Sequence, residues 1–361
     1  MAIANKSRWP SRLVLGAVLL LFGATLWLGA RRPVILVVHS QSERIPWTHG
    51  IDTGIDRVLP PTKGVRLQRM YLQTQDGSSV SNQVHQTELF VERRRPDVVM
   101  LIDDLAQARL GSTLAAQGRP AIVYSGIEDP ERSLANSTLP QIQGIAERTP
   151  WPMVESSLLQ MARLSASAAS PLPTPPRIAL ISDTGPAAEE EAQGFTQHIW
   201  HTAQPVGVWR CASLDEWLRA LDEIANKADI VVIGDYRYLQ APDGFRAQAW
   251  RERLAQAALE RLSQPMTALS AYAVAEGIPM GILPSPVEQG EVAAQMALQA
   301  VQESRANLAS ATMPEHARHA QTQNFALLLN QQQMAQRSLS VDAMNAYYAR
   351  VSARLIGTRT P

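Results

Sequence analysis

The chain has 361 residues, more than a single hydrophobic core usually holds, and this length favours two domains. Lys plus Arg and Asp plus Glu number 33 each, a balance that gives no electrostatic sign of nucleic-acid binding. The single cysteine, Cys211, excludes a disulfide framework, a cysteine-cluster metal site and a lipoprotein anchor after the N-terminal apolar run.

The N-terminal segment carries the clearest targeting signal. Three basic residues precede the apolar run 13–30, and Arg31, Arg32 and Pro33 follow it. A positive start and an apolar centre direct the rest of the chain out of the cytoplasm. The length of the run fits either a cleaved signal peptide or a retained membrane anchor. We therefore expect a periplasmic or otherwise extracytoplasmic protein, either secreted or anchored in the inner membrane by residues 13–30.

After residue 33 the pattern is strand, polar turn, helix, repeated. This alternation predicts an α/β fold with parallel sheets built from right-handed crossovers. The predicted strands of a first sheet are 34–40, 65–71, 97–104, 121–126 and 142–145, and the predicted helices are 47–59, 80–95, 104–117 and 151–164.

A second series follows the Ser-, Ala- and Pro-rich stretch 165–176, which predicts an exposed loop. Its last helix carries apolar residues at helical spacing, a stripe that favours core packing over a partner surface. The predicted strands of this second series are 177–183, 205–210, 229–235, 265–269 and 280–285. The predicted helices lie near 186–203, 213–227 and 243–262, with one more after 285. The apolar stripe of the last helix consists of Val341, Met344, Tyr348, Val351 and Leu355. Two lobes facing one cleft are expected.

Motifs of common enzymes are missing from the sequence. It contains no GxGxxG, GxxxxGK[ST], GxSxG or HExxH pattern, which weakens an enzymatic interpretation. The pairs His198/His201 and His316/His319 have the spacing of one helix face, but neither pair has an obvious third ligand. We expect no metal site and no cofactor.

Polar residues at the strand ends are the candidates for chemistry, because ligands of open parallel sheets bind beyond the carboxyl ends of the strands. Asp103 is expected at the cleft, where it can accept a hydrogen bond from an ammonium or amide group, while Asp104 caps the next helix. Asp183 and Asp235 fit either ligand acceptors or turn formers. Trp47 could stack on a flat ligand or hold its helix against the sheet, and Tyr236 is a similar candidate.

Six segments together resemble the ABC-transporter substrate-binding proteins of the type I periplasmic-binding fold, in particular a branch that also serves as sensor modules. The resemblance spans about residues 34–305. The segments are VVHSQSERIPWTHGIDTGI, RPDVVMLIDDLAQA, AIVYSGIEDPE, IQGIAERTPWPMVESSL, SLDEWLRALDEIANKADIVVIGDY and GILPSPVEQGEVAAQMALQAV.

The resemblance implies two Rossmann-like lobes with parallel sheets, joined by hinge strands, that close on a solute. Residues 34–148 and 279–312 would form lobe one, and 149–278 with 313–361 would form lobe two and a helical tail. The implied ligand contacts are Ser40, Gln41, Trp47, Asp103, Ser125 and Gly126 from lobe one, and Asp183, Thr184, Asp235 and Tyr236 from lobe two. Gln41-Ser42 and Leu105 depart from the family pattern, which leaves the solute open.

The function expected from these observations is capture of a small solute for a bacterial ABC importer. The partners would be that solute, such as an amino acid or an amine, and an ABC permease, with the N-terminal segment at the membrane and no nucleic acid. One alternative is a membrane-tethered sensor for a signalling membrane protein. Others are a cleft enzyme using Asp103, Asp183 and Asp235, and a scaffold whose cleft has lost its ligand.

Overall fold

A computed structural model describes residue 15 and residues 32–73, 79–118, 120–127, 142–166, 171–305 and 319–355. Of residues 1–33, predicted as a signal peptide or membrane anchor, Leu15, Arg32 and Pro33 lie within these ranges and the rest lie outside them. Among the helices in the described ranges, none is long and apolar enough to cross a membrane.

The first sheet has six strands, all parallel. Its inner strands are apolar runs buried on both faces, as expected where helices cover both sides of a parallel sheet. In spatial order the strands are β11 (His319–Gln321), β5 (Ile142–Ala146), β4 (Ala121–Ile127), β3 (Val98–Ile102), β1 (Val34–His39) and β2 (Arg66–Tyr71).

Helices cover the two faces of the first sheet. Ile35 and Val37 point to one face and Leu36 and Val38 to the other, so that each face has its own apolar core. The face with Ile35 and Val37 packs against α1 (Pro46–Val58) and α10 (Pro286–Arg305). The opposite face packs against α2 (Val80–Arg94), α3 (Asp103–Ala106) and α4 (Ser112–Ala116). A π-helical stretch (Gln107–Gly111) joins α3 to α4.

The second sheet also has six strands, and only its edge strand β12 is antiparallel to its neighbour. In spatial order the strands are β12 (Phe325–Leu329), β10 (Met280–Pro284), β9 (Met266–Ala268), β8 (Ile230–Ile233), β6 (Arg177–Ser182) and β7 (Gln204–Arg210). Its helices are α5 (Trp151–Ser165), α6 (Pro186–Gln197), α7 (Leu214–Lys227), α8 (Ala247–Arg261), α9 (Ala271–Ala275), α11 (Gln331–Gln336) and α12 (Ala343–Leu355).

Helices α1 and α10 approach each other closely enough for their backbones to touch. A Cβ atom on Gly54 would collide with the carbonyl oxygen of Val287, and one on Gly290 would collide with that of Ile51. Both positions therefore require glycine, because any side chain would separate the helices. This contact fixes the start of α10, which is where the chain enters the first lobe for the second time.

Three short segments carry the chain between the two sheets. The first crossing (147–150) joins β5 to α5, the second crossing (Ser285) joins β10 to α10, and the third crossing (322–324) joins β11 to β12. The first two leave from the carboxyl ends of parallel strands, and the third joins the carboxyl end of β11 to the start of antiparallel β12. All three therefore connect the carboxyl edge of one sheet with the carboxyl edge of the other.

Two details of the predicted lobe boundaries are wrong. Strand 280–284 was assigned to lobe one, but it pairs with β9 and β12 in the second sheet, and the chain changes lobe only at Ser285. Residues 319–321 were assigned to lobe two, but they pair with β5 in the first sheet. Strand–helix alternation predicts the first of these strands but not which sheet accepts it, because pairing is a long-range contact, and it does not predict the strand at 319–321.

The apolar stripe predicted for the last helix is only partly buried. Val341 and Tyr348 pack at the edge of the second lobe's core, as expected. Met344, by contrast, is 73% exposed, and the buried face of α12 consists of Ala349, Ser352 and Ala353. The large residues of the stripe therefore do not define the buried face, although Tyr348 contacts β12 and donates its hydroxyl to the carbonyl oxygen of Phe325.

Candidate functional site

The carboxyl edges of the two sheets face each other across the crossings, and the ten predicted contact residues all lie on these edges. β1, β3 and β4 end at the first edge, and β6 and β8 end at the second. The structure therefore brings the predicted residues to two opposed rims. Their individual environments differ, and these decide which side chains are available to a ligand.

Asp103 is the least satisfied carboxylate at the first edge. It follows β3 directly and has φ +65°, a left-handed conformation that Asp and Asn tolerate better than most residues. Its Oδ1 accepts a hydrogen bond of 2.8 Å from Nε1 of Trp47. Its Oδ2 is shielded from solvent and has no hydrogen-bond partner. An unpaired carboxylate oxygen in such a position can accept a hydrogen bond from a bound cation or N–H group.

The surroundings of Asp103 change its acidity. Burial raises its pKa to about 7, and the negative charge of Asp104 acts in the same direction, whereas the hydrogen bond from Trp47 opposes the increase. Near neutral pH the group is therefore close to half protonated. Pairing with a cation would stabilise the ionised form.

Gly126 completes the cluster because β4 bulges at that residue. The register between β4 and β5 shifts between Ser125 and Ile127, and Gly126 has φ +68°. A Cβ at this position would lie 2.6 Å from Oδ1 of Asp103 and 3.6 Å from the indole of Trp47. The glycine thus allows the backbone of β4 to approach the carboxylate, and the structure brings these three predicted contact residues together.

Two predicted serine contacts instead have structural roles. Ser40 is buried; its hydroxyl donates to the carbonyl oxygen of Ile102 at 2.7 Å and accepts from the N–H of Ala106 at 2.8 Å. It thereby satisfies a free N–H group in the first turn of α3, part of the capping role expected of Asp104. Ser125 is also buried, with its hydroxyl against Gln289. Gln41 lies partly exposed at the rim.

At the second edge, Asp183 forms a turn. Its Oδ1 accepts from the N–H of Gly185 at 2.7 Å, and its Oδ2 accepts from the N–H of Tyr238 at 2.6 Å. Both oxygens of this buried carboxylate are thus engaged by backbone donors, which favours the turn-forming alternative. Burial raises the pKa of Asp183. Thr184, in the same turn, is exposed.

Asp235 is paired within its own loop. Its carboxylate accepts from the backbone N–H and the guanidinium of Arg237, and from the hydroxyl of Tyr272 at 2.9 Å. The guanidinium also lies over the Tyr272 ring, 5.6 Å from its centroid. The side chain of Arg237 remains 49% exposed, so the group that this rim offers is a guanidinium rather than a free carboxylate.

Tyr236 follows Asp235 at the second edge, but its side chain is buried in the core of the second lobe. It is fully buried, contacts Trp217 and Tyr272, and donates its hydroxyl to Glu276 at 2.8 Å. This placement does not support the predicted ligand contact. Tyr238, two residues later, is 61% exposed and covers Gly185. Nothing in the sequence pattern separated the two tyrosines, because both follow the same strand.

The histidine pair His198/His201 lies wholly within the described part of the chain, and both residues contact one carboxylate there. His198 bonds through Nε2 to Glu155 at 3.0 Å, and the same carboxylate accepts from the N–H of His201. His319 bonds through Nδ1 to the hydroxyl of Tyr124, and His316 lies outside the described residues. Within the described residues, no three His, Cys, Asp or Glu side chains are placed to hold a metal ion.

Gln289 was missed by sequence reasoning although it touches the site. It lies in the first turns of α10, is fully buried, and accepts through Oε1 from the N–H of Gly126 at 2.9 Å. No sequence signal marked this amide, because its partners on β4, on β5 and after β11 are distant in sequence.

No protein-family model matches the chain, and no curated protein matches it significantly in sequence. Solved structures do resemble it. A substrate binding protein with adhesive properties from Clostridium difficile, in its ligand-free, open form, has a TM-score of 0.60 at 11% identity, covering 86% of this chain and 96% of that one.

Two further similar structures are of proteins named with a particular solute. An ABC domain in complex with L-Trp from Streptococcus pneumonia has a TM-score of 0.54 at 13% identity and covers 88% of this chain and 98% of that chain. An arabinose binding protein from Geobacillus stearothermophilus has a TM-score of 0.52 at 13% identity, with 84% and 99% covered. At these identities the likeness shows the fold: two lobes of the type I periplasmic-binding kind, as the sequence resemblance implied.

Proposed function

We propose that this chain is an extracytoplasmic solute-binding protein of a bacterial ABC importer, which captures a small solute between its lobes by closing about the three crossings. The observation that carries the proposal is the shielded Oδ2 of Asp103, which lacks a partner at the edge that faces the second lobe. A buried carboxylate oxygen without a partner is costly, and a bound solute that donates to it would remove that cost.

The proposed solute is a small amine with a flat group, such as an amino acid. Its ammonium would donate to Asp103, and its flat group would lie against the half-buried indole of Trp47. The half-exposed guanidinium of Arg237 at the opposite rim could receive a carboxylate. Contacts with both lobes would favour the closed form, because the open form cannot make them simultaneously.

Binding is proposed rather than catalysis. Asp183 and Asp235, which the enzyme alternative requires, are held by turn N–H groups and by Arg237 and Tyr272 respectively. They are therefore not poised as free acids or bases. A tethered sensor would use the same cleft, and its distinguishing anchor, residues 13–30, would be tested by N-terminal sequencing of the mature protein.

The experiment is a thermal-shift screen of the protein against L-amino acids, purines and small amines, followed by calorimetry on each hit. A ligand that binds only the native state raises its apparent stability by mass action. Asp103→Asn, which keeps the left-handed backbone accessible, should weaken binding at least tenfold, and Asp243→Asn in an exposed loop should not. Absence of any hit, full affinity in Asp103→Asn, or a chemically altered solute after incubation would contradict the proposal.

A further inference from the structure

Gln289 joins three parts of the molecule that are distant in sequence. Its Oε1 accepts from the N–H of Gly126 at 2.9 Å and lies 3.1 Å from the Ser125 hydroxyl. Its Nε2 donates to the carbonyl oxygen of Ala146 at 3.2 Å and to Oγ1 of Thr322 at 2.9 Å. One carboxamide thus links the β4 bulge to the end of β5 and to the third crossing.

The four bonds fill the hydrogen-bonding capacity of the amide. Its oxygen accepts from the N–H of Gly126 and faces the Ser125 hydroxyl, which also lies 3.2 Å from the backbone carbonyl oxygen of Gln289. Both N–H groups of the amide reach acceptors, so rotation of the amide by 180° would set its NH2 group against the N–H of Gly126. The bulge explains the first bond, because a bulged residue loses its place in the strand ladder and Gln289 supplies the missing acceptor. The side chain is fully buried, so breaking any bond would leave an unpaired polar group without water.

Thr322, to which Gln289 Nε2 donates, belongs to a hydrogen-bonded network that includes all three crossings. Thr322 Oγ1 also accepts from the N–H of Arg148 in the first crossing at 3.2 Å. The neighbouring Glu288 accepts through its carboxylate from the N–H groups of Gln323 and Asn324, and the N–H of Ser285 donates to the carbonyl oxygen of Asn324. The crossings therefore share one hydrogen-bonded network anchored at the start of α10.

We propose that Gln289 is a positioning residue that couples the β4 bulge at Ser125 and Gly126, which lies against Asp103, to the crossings about which the lobes would move. A solute that displaces the β4 bulge would then change the hydrogen bonds of the crossings through the Gln289 amide. The use of this coupling in lobe closure rests on the proposed function, whereas the coupling itself can be measured without any solute.

The test is amide hydrogen exchange on the ligand-free protein, read at Gly126 and at Arg148. Thr322→Val removes the hydroxyl at the crossing end and should accelerate exchange at Gly126 severalfold, although Thr322 does not bond to Gly126. Ser125→Ala removes the hydroxyl at the bulge end and should likewise accelerate exchange at Arg148. In a Gln289→Leu background each substitution should affect only its own end, because the connecting amide is missing.

Gln143→Leu is the matched control. Gln143 is another buried glutamine of lobe one, and its Nε2 donates to the carbonyl oxygen of Met296 in the same helix α10, away from the crossings. This variant should lose stability yet retain the response of Gly126 to Thr322→Val. The proposal is overturned if Thr322→Val leaves Gly126 exchange unchanged in the otherwise native protein, or if the response persists in Gln289→Leu.

A solute screen without hits would contradict the proposed function and leave this coupling intact. Conversely, if exchange at Gly126 does not respond to Thr322→Val and exchange at Arg148 does not respond to Ser125→Ala, the coupling is overturned even if a solute binds. The two proposals are thus tested by separate measurements.

Discussion

The indole Nε1 of Trp47 donates a hydrogen bond of 2.8 Å to Oδ1 of Asp103, while the second oxygen of the same carboxylate is left without a partner. The two residues are 56 positions apart in sequence and come together at the carboxyl edge of the first sheet. The bond holds the carboxylate in place on one side only. The lobe-one rim therefore contains a buried carboxylate oxygen that can accept a hydrogen bond, and the first three predictions concern this group.

Replacing Asp103 by Asn should remove a pH dependence of stability. The folded-state pKa of about 7 lies above the ordinary value of 3.8, so the folded protein binds more protons than the unfolded chain between these values. Stability contributed by this group is therefore complete at low pH and is lost as pH rises toward about 7. Asp103→Asn should be more stable than the native protein at pH 8 by about 2 to 4 kcal/mol, with little difference at pH 4.

Chemical denaturation across pH 4–8 measures this effect. Asp243→Asn, in an exposed loop, serves as the control and should follow the native pH profile. Equal stability differences for Asp103→Asn at pH 4 and pH 8 would show that the carboxyl group does not have the raised pKa.

Trp47→Phe should raise the pKa of Asp103 further. The indole N–H stabilises the ionised carboxylate, and phenylalanine retains a ring but no donor. The stability decline that accompanies ionisation should therefore shift to higher pH in the same denaturation series. Trp209→Phe removes a comparable indole bond to Glu223 on the surface of the second lobe and should leave the decline in place. A shift to lower pH in Trp47→Phe would contradict the prediction.

Binding of an amine should strengthen as pH rises from 6 to 8. Near pH 6 most Asp103 side chains carry a proton that must be released before the carboxylate can pair with an ammonium group. Calorimetry in buffers of different ionisation enthalpy should detect this proton release, and the affinity should rise by up to about tenfold over the range. An affinity independent of pH would place the ammonium away from Asp103.

Gly126→Ala should destabilise the protein more than Gly118→Ala. The two glycines have φ +68° and +69°, so the backbone cost of about 1 to 2 kcal/mol is the same. A Cβ on Gly118 meets nothing within 4 Å, whereas one on Gly126 lies 2.6 Å from Asp103 Oδ1. We expect an additional loss of about 2 kcal/mol at Gly126 in urea denaturation. Equal losses would mean that the β4 bulge can move away from the carboxylate.

The two tyrosines of the second rim should respond oppositely to loss of the hydroxyl. Tyr236→Phe breaks the buried bond to Glu276 and should cost about 1 to 3 kcal/mol. Tyr238→Phe, at a side chain 61% exposed, should change stability by less than about 0.5 kcal/mol. Thermal denaturation of both variants provides the comparison. A stable Tyr236→Phe would reopen the possibility that this residue serves the cleft.

Local sequence patterns were sufficient for ten of the strands, although not for β11, β12 or α9, and for the sheet edge that carries the predicted contact residues. Buried parallel strands need continuous apolar runs, and the chain must turn at a polar or small residue when each run ends, so 34–40, 97–104 and 177–183 were predicted correctly as strands ending at the rim. Asp103 was identified in the same way. It is an acidic residue directly after a buried strand, and it lies at the facing edge.

Pairing and side-chain environment were decided only by the tertiary structure. Strand 280–284 lies in the second sheet because its partners are β9 and β12, contacts that no local pattern encodes. Tyr236 and Tyr238 follow one strand, yet packing against Trp217 buries the first and leaves the second exposed. Gln289 acquires its role from groups on β4, β5 and the third crossing, which are distant in sequence and meet only in the folded structure. Local propensity specifies the elements, whereas long-range packing determines which polar groups meet.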